Sequence, residues 1–343
     1  MRNALGLMLA SVVTAVLITG VWFWTSSPRA DAAPPQTVAA RMEPLLAPAA
    51  ARPALRDDVE VTASLSKPAP APAPVPAPQP VRSACANPDA LGVSRTVVID
   101  TTGGPGFGFL QYKQFDFLTD KEVVLTFDDG PWPTTPAVLK ALADECTKAL
   151  FFPVGKHTTY HPEILKQVAV AGHTIGSHTW SHAHLDSKKL TEAQMREEIE
   201  KGFSAVKMAL GTAPAPFFRF PGLAHTQVAL GYLASRNISM FSVDVDSNDF
   251  KSSGPDQVIQ NVMTKLDKQG KGVILMHDLQ KSTAQALPTL LRRLKAGGYK
   301  VVQMKAKEQL ETLPEYDAML VKDQKVPAVA SRPISSVVQT VSQ

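Results

Sequence analysis

Cysteine is nearly absent from this chain: Cys85 and Cys146 are the only two in 343 residues. Neither stands at a spacing from histidine that would build a mixed Cys/His metal site. One disulfide is therefore the most the sulfur can do. Charge of one sign is equally scarce. The net charge is +4 and no block of five like charges occurs, which excludes the basic stripe of a nucleic-acid-binding protein. A phosphate loop is also missing. The run from Asp100 to Gly108 is glycine-rich but lacks the Lys-Ser/Thr ending and the strand-to-helix setting, and it reads as a turn in an N-terminal cap.

Charge disappears altogether between Arg2 and Arg29. Ala4 to Trp24 is almost wholly apolar, about the 20 residues a spanning helix needs and longer than the roughly 7–15 of a signal peptide's apolar region. Trp22 and Trp24 suit an outer interface, yet Ala30-Asp31-Ala32 is an Ala-x-Ala cleavage pattern. Residues 1–28 are therefore expected to be a transmembrane anchor or a signal peptide. Either one exports the remainder, anchored in the cytoplasmic membrane facing the periplasm or outside, or secreted. Many of the 28 prolines follow at once, and 29–84 reads as a disordered Pro/Ala-rich linker. Pro68 to Pro80 alternates proline with Ala, Val or Gln, an extended spacer of roughly 40 Å at about 3.1 Å per residue. The Val/Ser/Pro-rich tail, 315–343, is expected to be flexible. Export would place Cys85 and Cys146 in an oxidising compartment. A bridge between them would pin an N-terminal extension, 85–120, onto the domain that follows; two free, buried thiols are the alternative.

From 121 to 314 strand-like apolar runs alternate with helical patterns. The expected strands are Glu122–Phe127, Ala149–Val154, His173–His178, Phe217–Phe220, Ile238–Asp244, Gly272–His277 and Tyr299–Gln303. Helical patterns lie near 135–146, 161–171, 190–210, 226–236, 255–269 and 283–296. Thr191 with Gln194 suits a capping box, and Gly172, Gly211 and Gly297 are C-cap candidates. This alternation implies β/α units with parallel pairing, and seven strands suit a barrel, complete or incomplete, better than a small open sheet. Asp128, Asp129, His178, Arg219, Asp246 and His277 then all fall at or just past C-terminal strand ends, where (β/α) barrels carry their active sites.

His178 and His182 have the H-x3-H spacing of zinc-type sites, and a helical turn there would put both on one face. With Asp129 they make three ligands and leave room for water, the mark of a catalytic centre. His173 and His184 read as structural or exposed. Asp-Asp-Gly is also a common turn, but a buried strand leading into it argues for placed carboxylates with separate roles. A carboxylate beside the metal is a candidate base and a separate histidine a candidate acid.

Five ordered segments together resemble the polysaccharide deacetylase (NodB-homology) family: Thr-Phe-Asp-Asp-Gly at 126–130, His-Thr-x-x-His at 178–182, Arg-x-Pro-Gly at 219–222, Asp-x-x-Asp-Phe at 246–250 and Leu-Met-His at 275–277. The resemblance covers roughly 120–305. It implies a distorted (β/α)7 barrel and metal-dependent hydrolysis of acyl groups, usually N-acetyl, from sugars. Asp128 would be the general base, Asp129, His178 and His182 the metal ligands, Arg219 the partner that holds Asp128 ionised, and His277 the general acid. The N–H after Pro221 would face the oxyanion. Asp246 or Asp249 would orient His277, with capping or turn structure as the plainer role for Asp249. Phe250 and Leu275 belong to the surroundings of the site. The metal is expected to be zinc, with cobalt, manganese or nickel as alternatives, because a ligand set does not fix occupancy.

Three positions depart from the family pattern. Gly222 stands where an aromatic often follows the proline, so a wall of the sugar site is expected to be missing. Phe250 replaces a common Trp, and Phe220 a common proline. The expected activity is an exported carbohydrate N-deacetylase. An O-acetyl esterase or non-sugar amidase of the same fold, and a catalytically silent glycan-binding protein, are the alternatives.

Overall fold

The computed structural model describes Cys85 and residues 87–325. The anchor-or-signal segment 1–28, the linker 29–84 and the tail beyond 325 lie outside the described residues. Among the described residues no helix is long and apolar enough to cross a membrane.

Among the described residues ten strands form: β1 (Arg95–Ile99), β2 (Gly106–Phe107), β3 (Glu122–Asp128), β4 (Leu150–Phe152), β5 (Thr174–Ile175), β6 (Phe217–Phe218), β7 (Ser239–Phe241), β8 (Val245–Asp246), β9 (Gly272–His277) and β10 (Lys300–Ala306). Every pairing is parallel. The expected α/β class with parallel sheets is therefore present. The strands fall into a seven-stranded sheet and a three-stranded sheet of order β2-β7-β6. The two are joined by a single parallel bridge, Ser177 to Phe218.

β3 is the centre of the arrangement. It pairs with β9 along its whole length, with β10 at its start and with β4 at its end. All seven of its residues are buried, as befits a parallel strand covered on both faces. The period-2 alternation of side chains divides them. Val123, Leu125 and Phe127 join the cluster with Val138, Leu142, Leu290 and other helix residues. Val124 joins the inner cluster with Phe152, Phe217, Phe241 and Met304. Thr126 and Asp128 share the inner face with Val124. A strand whose Val123, Val124 and Leu125 lie in the core thus delivers a carboxylate to its C-terminal end.

Several helices begin and end as the sequence predicts. Thr191 and Gln194 form a complete capping box ahead of the helix Glu192–Leu210, and Gly211 closes it in the left-handed conformation. After the helix Lys281–Ala296 the left-handed residue is Gly298, with Gly297 at φ −78°. The expected strand Ile238–Asp244 is shorter, β7 alone, and β8 follows just beyond it with a different partner: β7 pairs with β2 and β6, and β8 pairs with β9. A short helix, Gly155–Tyr160, precedes the expected one at Pro162–Val170.

Both flanks of the domain correct the sequence reading. The extension is more than a cap: β1 adds to β10 over five residue pairs, and β2 adds to β7. Cys85 is bonded to Cys146, closing a separation of 61 residues. The tail expected to be flexible from 315 is a helix over Pro314–Lys325. Leu320 is buried there, Asp317 pairs with Lys207 at 2.8 Å and Asp323 with Lys201 at 2.9 Å. Those partners lie on the helix Glu192–Leu210, more than a hundred residues away, so no local pattern announces them.

Candidate metal centre and active site

The site occupies the C-terminal strand ends, where the sequence placed it. Asp128 ends β3, Asp246 ends β8 and His277 ends β9. Arg219 follows β6 directly, and His178 lies just past β5, beside the Ser177–Phe218 bridge.

Arg219 is completely buried and spends its donors on the site. Nη1 donates to Asp128 Oδ1 at 2.7 Å and to Thr126 Oγ1 at 2.8 Å. Nε and Nη2 donate to the Phe241 and Ser242 carbonyls, and the guanidinium lies over the Phe152 ring at 4.5 Å. A buried charge needs this degree of pairing. Burial pushes the Asp128 carboxyl up, and Arg219 works against that rise. Thr126 was missed in the sequence, although its position two residues before Asp128 on one strand face could have flagged it.

Asp129 turns away from Asp128 because its φ is +74°. Its Oδ1 lies 3.3 Å from His182 Nε2 and 3.5 Å from His178 Nε2. Three ligands at about 2.0–2.2 Å around a tetrahedral ion stand about 3.3–3.6 Å apart, so these spacings fit a metal. One ligand atom from each of the three residues lies within 4.8 Å of the others. Asp129 Oδ1 is buried and has no hydrogen-bond partner, a costly state that a cation would relieve. His178 Nδ1 bonds the Arg219 carbonyl at 2.7 Å. That contact requires the proton on Nδ1 and leaves Nε2 a free lone pair. Burial pushes His178 down to about 3, so the ring is neutral, as a ligand must be.

The two histidines do not meet through a helical turn. Thr179 and His182 both have positive φ, at 65° and 62°, and the segment is an irregular loop. Left-handed residues fold it back so that the rings lie 5.1 Å apart. The backbone of the ligand loop is held from outside as well: His157 Nδ1 bonds the Asp129 carbonyl at 2.6 Å. Nothing in the sequence around His157 signals that contact.

His277 forms the opposite half of the site. Its Nδ1 meets Asp249 Oδ1 at 2.7 Å, and its backbone N–H donates to Asp249 Oδ2 at 2.7 Å. Thr283 donates to the same carboxylate. Asp249 is thus the residue that orients His277, not a helix cap. Asp246 instead accepts from the Asn248 N–H and lines the cavity. Burial opposes the charged form of His277, but Asp249, with Asp128 and Asp129 behind it, outweighs burial and pushes the imidazole up to about 9. Its Nε2 lies 4.0 Å from Asp129 Oδ2. Phe250 is half exposed and stands edge-on to the ring at 5.7 Å.

Asp278, another residue missed in the sequence, is buried beneath the Asp128–Gly130 loop. Burial pushes its carboxyl up to about 7, and it accepts from Thr135 at 2.6 Å. A Cβ on Gly130 would stand 2.1 Å from its Oδ2, which is why a glycine follows the two aspartates.

The halves face each other across a cavity of about 330 Å³, whose walls include Phe250, Leu275, Gly222 and His184. Pro221 begins a one-turn 3₁₀ segment, and Gly222 has φ +61° within it. The wall expected to be missing at Gly222 is filled: the His184 ring packs on the bare α-carbon there. The extension supports this wall from behind, since Gln111 Nε2 donates to the Leu223 carbonyl and Tyr112 stacks on His225 at 5.9 Å.

Residues 117–241 match the family model described as polysaccharide deacetylase. The chain is 33% identical over 185 residues to a peptidoglycan-N-acetylglucosamine deacetylase of Listeria monocytogenes, covering 54% of this chain and 38% of that protein. It is 29% identical over 164 residues to a chitooligosaccharide deacetylase of a Bradyrhizobium species, covering 48% of this chain and 73% of that one. Among solved structures, a peptidoglycan deacetylase of Bdellovibrio bacteriovorus superposes with a TM-score of 0.56 at 34% identity, covering 62% of this chain and 59% of that one. The chain therefore spans less than two thirds of the length of both the Listeria protein and the Bdellovibrio structure.

Proposed function

We propose, on the premise that this chain belongs to the polysaccharide deacetylase (NodB-homology) family, that it is an exported metal-dependent hydrolase that removes N-acetyl groups from a carbohydrate polymer or oligosaccharide. The observation that carries this reading is the unpartnered Asp129 Oδ1 between His178 and His182, set opposite an independently charged His277. On this reading the domain is the distorted (β/α)7 barrel that the family resemblance implies.

A divalent metal held by Asp129, His178 and His182, zinc first among the candidates, would supply Lewis acidity toward the acetyl carbonyl and the attacking water. The chain's own groups do the rest. Arg219 holds Asp128 by Oδ1 and leaves Oδ2 to accept the water's proton. Burial makes that carboxylate a stronger base than an exposed one. The N–H of Gly222 faces the developing oxyanion. His277, kept cationic by Asp249, donates a proton to the leaving nitrogen, without which an amide nitrogen departs poorly. Phe250 and Leu275 narrow the cavity and exclude bulk water.

Export rests on the uncharged segment before Arg29 and on the Cys85–Cys146 bridge, which suits an oxidising compartment. Residues 1–28 would tether the domain to the cytoplasmic membrane, or direct its secretion if cleaved.

Acetate release tests the reading. The purified protein is offered N-acetylglucosamine oligomers, peptidoglycan and O-acetylated xylan, after chelation and after zinc or cobalt is returned, beside Asp128→Asn. Metal-restored release from the amino sugars that the variant lacks is the expected result. Release from xylan alone would establish the esterase instead. Release from no substrate, with one metal bound per chain, would favour a glycan-binding role.

A further inference from the structure

The loop that carries the ligand histidines bears a third histidine that neither the metal nor the acid–base chemistry uses. His184 lines the same cavity as Asp128, His182 and His277, yet it lies outside the Asp129–His178–His182 cluster. Its ring is exposed, and neither ring nitrogen is hydrogen-bonded to a described residue; its backbone carbonyl accepts from the Ser187 N–H at 3.2 Å.

The position of the ring is built, not accidental. A Cβ on Gly222 would stand 2.5 Å from His184 Cε1, 3.1 Å from Nδ1 and 3.3 Å from Nε2. The imidazole therefore occupies the volume that any other residue at 222 would fill. Gly222 also has φ +61°, which favours glycine a second time. On its other side His184 meets the His182 ring edge-on at 6.0 Å. Phe250 and His277 line the same cavity, with their rings 5.7 Å apart. An imidazole adds what a phenyl ring lacks, two nitrogens on its edge that can hydrogen-bond, and a sugar hydroxyl can meet either.

We propose that His184, seated on Gly222, is a specificity-determining residue: its ring forms one wall of the sugar-binding cavity and its free nitrogens hydrogen-bond a hydroxyl of the N-acetylated amino sugar. The inference rests on the deacetylase reading for the identity of the ligand, but its test does not require turnover.

The N-acetylglucosamine tetramer is the probe. Its dissociation constant is measured by calorimetry in zinc-loaded Asp128→Asn protein, with and without His184→Ala, after thermal melts establish that both are folded. The truncation is expected to weaken binding about tenfold, the worth of one hydrogen bond with its packing. Gly222→Ala, whose Cβ displaces the ring, is expected to weaken it to a similar degree. His184→Phe, which keeps the flat ring without the nitrogens, should fall between. In otherwise native protein, His184→Ala should raise KM for the tetramer about tenfold while kcat falls less than about threefold, with one zinc retained per chain. Unchanged binding in His184→Ala, no binding of the tetramer by the parent protein, or loss of the metal on truncation would each overturn the proposal. If native protein releases no acetate but the tetramer binds through His184, the deacetylase reading fails and this inference stands. If acetate is released and His184→Ala behaves as native, the inference alone fails.

Discussion

Two histidines that line one cavity differ in charge, His178 neutral and His277 cationic. His178 is pushed down to about 3 and His277 up to about 9. Burial acts on both in the same direction, against the cation. The difference lies in what each Nδ1 meets: a backbone carbonyl at His178, a carboxylate at His277. The polar accounting differs too. On the acid side, Asp249 has its oxygens occupied by His277 and Thr283. On the other side, Asp129 Oδ1 is left without a partner. One half of the site is satisfied within the protein, and the other holds an acceptor that a cation would satisfy. A lone-pair donor and a proton donor held within a few ångströms need separate environments, and here the charge of the group that meets each Nδ1 is what separates them.

The contrast can be broken from either side. The largest effect is expected from His182→Ala, which removes a ligand from the incomplete half. Bound zinc, measured by atomic emission, should fall below stoichiometric, and acetate release should drop about 10³-fold, as expected when several kcal/mol of Lewis-acid stabilisation are lost. Full zinc occupancy with unchanged turnover would remove His182 from the ligand set. Next comes Asp249→Asn, which converts the partner of His277 into a neutral one. Turnover should fall about 10²-fold. The alkaline limb of kcat against pH, expected near 9 in the native protein, should move down toward the ordinary histidine value of about 6.5, because the acid must be protonated to act. A limb that stays in place would assign it to another group.

Stability sharpens the same comparison without turnover. His277 binds its proton more tightly when folded, so its contribution is full below about pH 6.5 and is lost as pH rises through about 9. His178 binds its proton less tightly when folded, so its contribution is full above about pH 6.5 and is lost as pH falls toward about 3. Thermal melts of metal-free protein should lose stability in both directions from neutrality. Asp249→Asn should flatten the alkaline side and leave the acid side. Flattening of both, or of neither, would show that the two halves are not independent. The smallest effect on the site is expected from Cys85→Ser. The bridge to Cys146 precedes β4, at the end of the strands away from the cavity. Its loss should lower the melting temperature, by about 2–4 kcal/mol of stability, while zinc content and kcat stay within about twofold, as for a distant independent site.

The sequence carried the parts whose meaning is local. Motif order, residue type and the apolar runs before each motif placed Asp128, Asp129, His178, Arg219 and His277 at one end of the sheet, because a strand fixes direction and alternation over a few residues. It failed where short elements depend on distant partners. β5 and β6 are two residues long, too short for a pattern to bound them. β1 finds its partner some two hundred residues along the chain, and the helix Pro314–Lys325 is held by ion pairs to the helix Glu192–Leu210.

By itself, then, the sequence determined which side chains are the candidates for the site and which end of the strands they occupy. Only the tertiary structure decided how they are paired: Asp249 rather than Asp246 behind His277, a left-handed loop rather than a helical turn between His178 and His182, His184 on the bare α-carbon of Gly222, and Asp278 beneath Gly130. The physical reason is range. Backbone periodicity and propensity act over one or two turns, whereas charge, proton affinity and the closing of a cavity wall are set by atoms within about 4 Å in space, whatever their separation along the chain.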